Sequence, residues 1–396
     1  MTHYTTELEE VKGFMNLINV SQLNELAKES YMLIDIRDEG SIFYGLIPGA
    51  INIPVEKLER DAEKYLECID KQKKLVIYCQ RGEKSVEIAE MLERYGKECF
   101  SLEGGYNAYL MSNIVSNEID VSKKQEKAET SIRKKFHKQI FSPFAKACQI
   151  YQLINEGDHI AVCISGGKDS MLMAKLFQEI KKHKKVNFEL TFLVMDPGYN
   201  RENRALIESN AKQLGIPITI FESDIFDAVD TVEKSPCYLC ARMRRGHLNS
   251  KAIDLGCNKI ALGHHYDDVI ETILMGMLHS GQIQTMMPKL HSTNFEGMEL
   301  IRPMYLIRET DICKWRDYNE LHFLQCACHF TETCTTCHED GTTSSKRLET
   351  KKLIAMLKET NPYVENNIFK SVENINLNTI IAYKKDGERH YFLDEY

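Results

Sequence analysis

The fold open to this chain is constrained most by Ser165-Gly166-Gly167-Lys168-Asp169-Ser170, which follows the apolar run Ile160-Ala161-Val162-Cys163-Ile164 and opens a helix-like stretch from Met171 to Phe177. A buried strand, a glycine turn and a helix start, in that order, make a phosphate cradle. Two adjacent glycines let the backbone approach an anion closely, the helix N-terminus aims unpaired amides at it, and Lys168 offers a mobile positive charge. The spacing is not the Walker pattern, which needs four residues between its glycines. A strand-to-helix turn that merely happens to contain glycines is the plainer reading, and the Lys-Asp-Ser after the pair weighs against it.

At 396 residues the chain exceeds one ordinary domain, so two or more are expected, each able to bury its own core. No uninterrupted apolar stretch reaches the roughly 18 to 20 residues of a spanning helix, and the start, Met1 to Glu7, lacks the regions of a signal peptide. A cytoplasmic protein with no membrane partner is expected. Thiols stay reduced there, so thirteen cysteines, an odd count, point to metal binding and sulfur chemistry more than to disulfides. The formal charge of −8 argues weakly against a nucleic-acid partner, but its distribution tells more. Lys123, Lys124, Lys127, Arg133, Lys134, Lys135, Lys138 and Lys146 face only Glu126 and Glu129 in their segment. That segment is either a phosphate-contacting surface or a solvated linker and helix face.

The chain divides near residue 120. Before it, Met32 to Asp35, Ala50 to Pro54 and Leu75 to Tyr78 alternate with loops and helices, the pattern of a small α/β domain with a parallel sheet. Cys79-Gln80-Arg81-Gly82-Glu83-Lys84-Ser85 falls at a strand's carboxyl end, where such sheets bind ligands. Loop amides, a helix N-terminus, Arg81 and Lys84 would favour a thiolate there, which makes Cys79 a candidate nucleophile rather than core filler. Residues 15 to 112 resemble the rhodanese family, which carries sulfur as a persulfide on the loop cysteine. The likeness extends through Leu33 to Arg37, Ile47 to Pro54 and Leu102 to Tyr106. Gly45-Leu46 replaces the family's usual Gly-His, and Lys84 stands where arginine is common.

After a basic linker and leading helix at 121–150 comes a larger doubly wound α/β unit with a parallel sheet. Its strands are read at Ile160 to Ile164, Glu189 to Met195, Ile216 to Phe221 and Lys259 to Gly263. Phosphate at the first turn sets adenine near the end of the second strand, around Val194, Met195 and Asp196. The fourth strand ends in Gly263-His264-His265-Tyr266-Asp267-Asp268, at the same ligand-binding edge. Asp267 and Asp268 can hold Mg²⁺ on a pyrophosphate or orient a reacting group, although an acidic helix start is also ordinary capping. Cys237-Tyr238-Leu239-Cys240 lets two thiolates reach one metal, and Arg242, Arg244 and Arg245 offer charge to a nucleic-acid backbone. Cys326, Cys328, Cys334 and Cys337 follow. They permit a separate zinc site, or a composite iron-sulfur site with Cys237 and Cys240; a redox dithiol at the early pair is the plainer alternative.

The glycine cradle resembles the PP-loop of the ATP pyrophosphatases, which transfer AMP to a carbonyl oxygen. Residues 130 to 380 as a whole resemble the tRNA 2-thiocytidine synthetase family, through Glu156-Gly157-Asp158, the PP-loop, the Cys237 motif, Leu262 to Asp268, and Met287-Pro288-Lys289-Leu290. The resemblance implies ATP on Ser165, Gly166, Gly167, Lys168, Asp169 and Ser170, with Met195, Gly263 and His264 close by. It implies catalytic roles for Lys168, Asp267 and Asp268. It also implies a [4Fe-4S] cluster on Cys237, Cys240 and Cys326, with Cys328 as the alternative third ligand, because the family's late Cys-x-x-Cys is here Cys326-Ala327-Cys328. Base activation at C2 of a tRNA cytosine would precede replacement of oxygen by sulfur. The sulfur would come by way of Cys79 from a donor such as a cysteine desulfurase or thiosulfate, and a homodimer is compatible with the sequence. The same residues leave open a tRNA 2-thiouridine synthetase or a non-tRNA sulfur carrier. Lys346, Arg347, Lys351 and Lys352 lie on a helix-like stretch that either touches tRNA or faces water.

Overall fold

The computed structural model describes residues 16–67, 73–116, 121–223, 225, 236–323 and 346–395. In the N-terminal unit the strands are β1 (Leu17–Ile18), β2 (Tyr31–Asp35), β3 (Ile51–Asn52), β4 (Lys74–Tyr78) and β5 (Cys99–Leu102), all parallel in the order β1-β5-β4-β2-β3. β4 lies in the middle and buries Leu75, Val76, Ile77 and Tyr78, as a strand covered on both faces must. The helices are α1 (Val20–Glu25), α2 (Val55–Glu67), α3 (Glu83–Glu93) and α4 (Gly105–Ser116).

The basic stretch that follows is helical, not an extended tether. It forms α5 (Val121–Arg133), a π-helical turn at His137–Phe141 and α6 (Ser142–Ile150). α5 buries Ala128, Ser131 and Ile132, while Lys127 and Arg133 are spent on ion pairs to Glu320 (2.9 Å) and to Glu129 and Glu179 (2.9 and 3.1 Å). Glu129 also takes the buried Lys175 at 2.9 Å and Lys182 at 2.7 Å. Burial alone would raise its carboxyl, but these ammoniums outweigh it and hold the group down at about 2.

The larger unit runs β6 (His159–Ile164), α7 (Lys168–Lys182), β7 (Glu189–Asp196), α8 (Arg201–Leu214), β8 (Ile218–Glu222), α9 (Pro236–Asp254), β9 (Lys259–Ala261), α10 (Tyr266–Ser280), β10 (Lys289–His291), β11 (Glu299–Ile301) and α11 (Glu309–Tyr318). Then come α12 (Lys346–Thr360), α13 (Val364–Ser371) and a hairpin of β12 (Ala382–Lys385) and β13 (Glu388–Tyr391). The six-stranded sheet has the order β10-β11-β9-β6-β7-β8 and is parallel except for the edge strand β10. From β6 the chain moves outward through β7 and β8, then returns to β9 on the other side. The crevice at the carboxyl ends of β6 and β9 is therefore the switch point where such sheets take ligands. Asp158 of the Glu156-Gly157-Asp158 motif works at the opposite end: it pairs with the buried Lys259 at 2.7 Å and accepts from Asn258 at 2.9 Å, locking β9 beside β6.

One continuous apolar cluster joins the two units, with Tyr106 and Leu110 of α4 in the same core as Leu206 and Ile207 of α8. The Tyr106 hydroxyl lies 3.3 Å from His322 Nδ1, and an Arg316 Nη1 donates to the Ile42 carbonyl at 3.3 Å. The units thus meet through packed side chains.

Candidate active site

The cradle forms as its residues require. Gly166 sits at φ +84°, a region open to glycine, and Gly167 caps α7 in extended conformation with no side chain over the helix amides. Ser170 ties the loop together: its hydroxyl receives the Ser165 amide at 3.1 Å and donates to the Gly167 carbonyl at 3.0 Å. Gly263 lets the turn after β9 touch α7, since a Cβ there would stand 3.3 Å from the Asp169 carbonyl carbon and the Ser170 nitrogen. Lys168 departs from the expected mobile cation. Its side chain is only 3% exposed and its ammonium lies 3.2 Å from both Asp169 and Glu309, so two part-buried carboxylates hold it in the first turn of α7.

The acidic motif enters the same crevice. His265 caps α10, and its imidazole lies within 4.0 Å of Asp169, 3.8 Å of Asp267 and 3.5 Å of Asp268. Asp268 returns the cap by accepting the His265 amide at 3.0 Å and pairs with Arg347 through its other oxygen. Burial would raise the Asp268 carboxyl, but His265 and Arg347 hold it below the usual range. Asp267 accepts the Glu309 amide at 2.7 Å with one oxygen and faces Arg308 at 2.9 Å with the other, anchoring the start of α11. The Asp169 Oδ1 is different: it is buried without a hydrogen-bond partner among the described residues. Magnesium takes one or two carboxylates and completes its shell with water and phosphate oxygens. Asp169 therefore has the oxygen best fitted to it. Among the described residues no three His, Cys, Asp or Glu side chains form a metal cage of their own.

Two charged residues at this mouth, Arg308 and Glu309, carried no assignment from the sequence, and Arg347 and Lys351, read there as touching tRNA or facing water, are paired instead with Asp268 and Glu309. Glu309 bridges Lys168 and Lys351, the latter at 2.5 Å; burial would raise its carboxyl, but these ammoniums hold it down at about 2. The signal for Arg347 and Lys351 was their i, i+4 spacing, which places both on one face of α12.

Burial pushes the His264 imidazole down to about 4, and its Nδ1 has no hydrogen-bond partner among the described residues. Unfolded histidine takes its proton near pH ~6.5. Stability from the neutral folded form is complete above that pH and is lost as pH falls through about 4. Urea unfolding of the wild type and His264→Gln at pH 7 and pH 4 should therefore show the wild type losing on the order of 2 to 3 kcal/mol more than the variant. Equal losses would contradict a neutral His264.

Met195 is buried at the end of β7 in a cluster with Ile225, against which Tyr199, Phe221, Leu239, Met243 and Leu248 pack. Leu239 lies between the two cysteines of the Cys237 motif, so α9 rests against the same sheet edge as the cradle. The helix backbone runs through Cys237 and Cys240, spaced one turn apart; their side chains, and Cys68, Cys326, Cys328, Cys334 and Cys337, lie outside the described residues. Soft thiolates one turn apart suit iron or zinc. Beside Met195 an open cavity of about 470 Å³ is lined by Asp196, Tyr199, Arg204, Glu208 and Glu222 among others. Further along α9, Arg245 faces Arg302; burial first, and then Arg245, lowers the Arg302 guanidinium.

In the N-terminal unit Cys79 is buried at the end of β4, with the Gly82 amide 3.1 Å and the Ser85 hydroxyl 3.5 Å from its sulfur. Gly82 caps α3 at φ +92°. The Lys84 ammonium pairs with Glu59 at 3.3 Å and Glu87 at 2.9 Å, two carboxylates that compete with the sulfur for its charge. Cys99, Cys148, Cys163 and Cys257 are buried, and burial raises each thiol, to about 12 for the first three, as expected of packing residues.

Comparison with known proteins gives two family matches, a PP-loop domain over residues 128–328 and a rhodanese-like domain over residues 19–112. The tRNA-cytidine(32) 2-sulfurtransferase of Syntrophotalea carbinolica is 32% identical over 58% of this chain and 86% of its own length. That of Geobacter sulfurreducens is 31% identical over 60% and 90%. Among solved structures, the U34-tRNA thiolase NcsA from Methanococcus maripaludis with its [4Fe-4S] cluster aligns at a TM-score of 0.46 and 21% identity, covering 59% of this chain and 79% of that one. No described helix is long and apolar enough to cross a membrane.

Proposed function

Because the chain belongs to the PP-loop family and to that of the tRNA-cytidine(32) 2-sulfurtransferases, with a rhodanese-like domain in front, we propose that it is an ATP-dependent tRNA sulfurtransferase replacing a pyrimidine C2 oxygen, with cytidine of the anticodon loop as the base. The observation that carries this reading is the shared sheet edge. The cradle of α7 and the Cys237 helix α9 both stand there, α9 held by Leu239 and Met243 against the Met195 cluster.

Lys168 and the cradle amides bind the phosphates of ATP, and Asp169 is suited to its magnesium. O2 of the extruded base attacks the α-phosphorus; that bond forms as the bond to pyrophosphate breaks. A looped or flipped base is needed because pairing would hide O2 in the minor groove, and an anticodon-loop cytidine is outside a duplex. Asp267 holds α11 beside the reacting phosphorus through Arg308 and the Glu309 amide, and before ATP enters Asp268 holds α12 there through Arg347. Hydrosulfide then adds at C2, AMP leaves with the oxygen, and the sulfur loses its proton. Cys237 and Cys240, with Cys326 or Cys328, are the residues that would hold a [4Fe-4S] cluster, which supplies an iron able to keep sulfur beside the base. Arg245 and Arg302 suit the tRNA phosphates. Pyrophosphate release tests the proposal: it should require tRNA, and release indifferent to tRNA would favour a sulfur carrier.

Cys79 carries the incoming sulfur as a persulfide, and release of that sulfane sulfur as hydrosulfide consumes two electrons from a thiol reductant. Replacing Cys79 by alanine should cut thiolation driven by thiosulfate by about 100-fold or more while sparing the reaction with free sulfide. Equal loss with both sulfur sources would refute the division of labour.

A further inference from the structure

Two cations at the mouth of the crevice, Arg347 and Lys351, come from α12, a helix some 180 residues further along the chain than Lys168. Its first turn brings Arg347 to Asp268, with Glu271 at 3.7 Å; its second brings Lys351 to Glu309 at 2.5 Å. Glu309 presents one oxygen to Lys168 of the cradle and the other to Lys351. A single carboxylate thus bridges two ammoniums across the mouth, as a phosphate bridges the walls of an anion site. Arg347 is 44% exposed and Lys351 35% exposed, and ion pairs so open to water stabilise a fold little. Their side chains can exchange a carboxylate for a better anion without uncovering the core. Arg308 cannot, because Glu365 holds it at 2.5 and 3.0 Å and Asp267 at 2.9 Å.

We infer that Arg347 and Lys351 form a polyphosphate clamp: when ATP enters, its outer phosphates take these two cations from Asp268 and Glu309, and α12 becomes the roof of the pyrophosphate subsite. The inference rests on the reading of the cradle as an ATP site and adds the second wall that the glycine loop lacks. The clamp grips the phosphates that leave as pyrophosphate and ignores the nucleoside monophosphate. α12 is anchored by its apolar face, with Ile354 in one cluster with Val269, Ile270 and Ile273, so its place over the crevice does not depend on the two ion pairs at the mouth.

Equilibrium binding of ATP, inorganic pyrophosphate and AMP to the full-length chain tests this. Lys351→Gln and Arg347→Gln should each weaken ATP and pyrophosphate about tenfold, and the double variant about 100-fold, with AMP changed less than about twofold. Lys351→Arg should restore most of the loss. A merely structural role would lower the melting temperature while leaving the ratio of ATP to AMP affinity as in the wild type, and that result would overturn the clamp. If the double variant fails to fold, Lys351→Gln alone decides, since Arg347 still ties α12 to Asp268. A wild-type chain that binds AMP and ATP equally would overturn the clamp and spare the cradle; one that binds neither would overturn both.

Discussion

Gly105→Ala should abolish sulfur transfer from the N-terminal unit, lowering thiosulfate sulfurtransferase activity by at least about 100-fold, although residue 105 contributes no functional group. Gly105 sits at φ +56°, and a Cβ there would stand 2.5 Å from the Cys79 carbonyl oxygen, 2.7 Å from the Gly82 amide and 3.0 Å from the Arg81 amide. All three are backbone atoms of the Cys79 loop, so no side chain can swing aside. The loop itself must shift, and with it the Gly82 amide that lies 3.1 Å from the Cys79 sulfur. Gly96→Ala is the control: φ is +78°, but no atom of the described residues lies within 4 Å of the added carbon. Its cost is the left-handed backbone alone, about 1 kcal/mol. Near wild-type activity in Gly105→Ala would show that the loop adapts and that its geometry does not set the rate.

Lys168→Met should reduce ATP-dependent thiolation by about 1000-fold, because in the proposed mechanism the ammonium is the cradle's own positive charge on the phosphates of ATP. The same change should lower stability by about 1 to 3 kcal/mol, since it takes from the part-buried carboxylates of Asp169 and Glu309 the ammonium that lies 3.2 Å from both. The two effects separate by measurement. Pyrophosphate release reports the first, and urea unfolding without nucleotide reports the second. Loss of stability with undiminished pyrophosphate release would make Lys168 a structural ion-pair partner and remove it from the chemistry.

The features legible in sequence are those written within a few consecutive residues. Strand, Gly166-Gly167 and helix N-terminus follow one another directly, so the cradle could be read with its register; the same holds for β4 running into Cys79. Asp267 and Asp268 were legible as an acidic helix start at the ligand edge. Their partners were not, because Arg308, Arg347 and the Glu309 amide reach them across 41 to 79 residues of chain. Lys168 and Lys84 show how the same limit misleads: a lysine's position in a motif is local, but where its ammonium ends is decided by carboxylates from elsewhere, Glu309 for one and Glu59 for the other. The union of the two units was hidden most deeply. Tyr106 and His322 meet over 216 residues, and no periodicity announces such a contact.

The most direct test is nucleoside mass spectrometry of unmodified tRNA incubated with the purified chain, Mg-ATP and sulfide under reducing, anaerobic conditions. A 2-thiocytidine that appears only with ATP, and is lost in Lys168→Met and in Cys237→Ala, is the predicted result. Unchanged nucleosides from an enzyme that still hydrolyses ATP would contradict it.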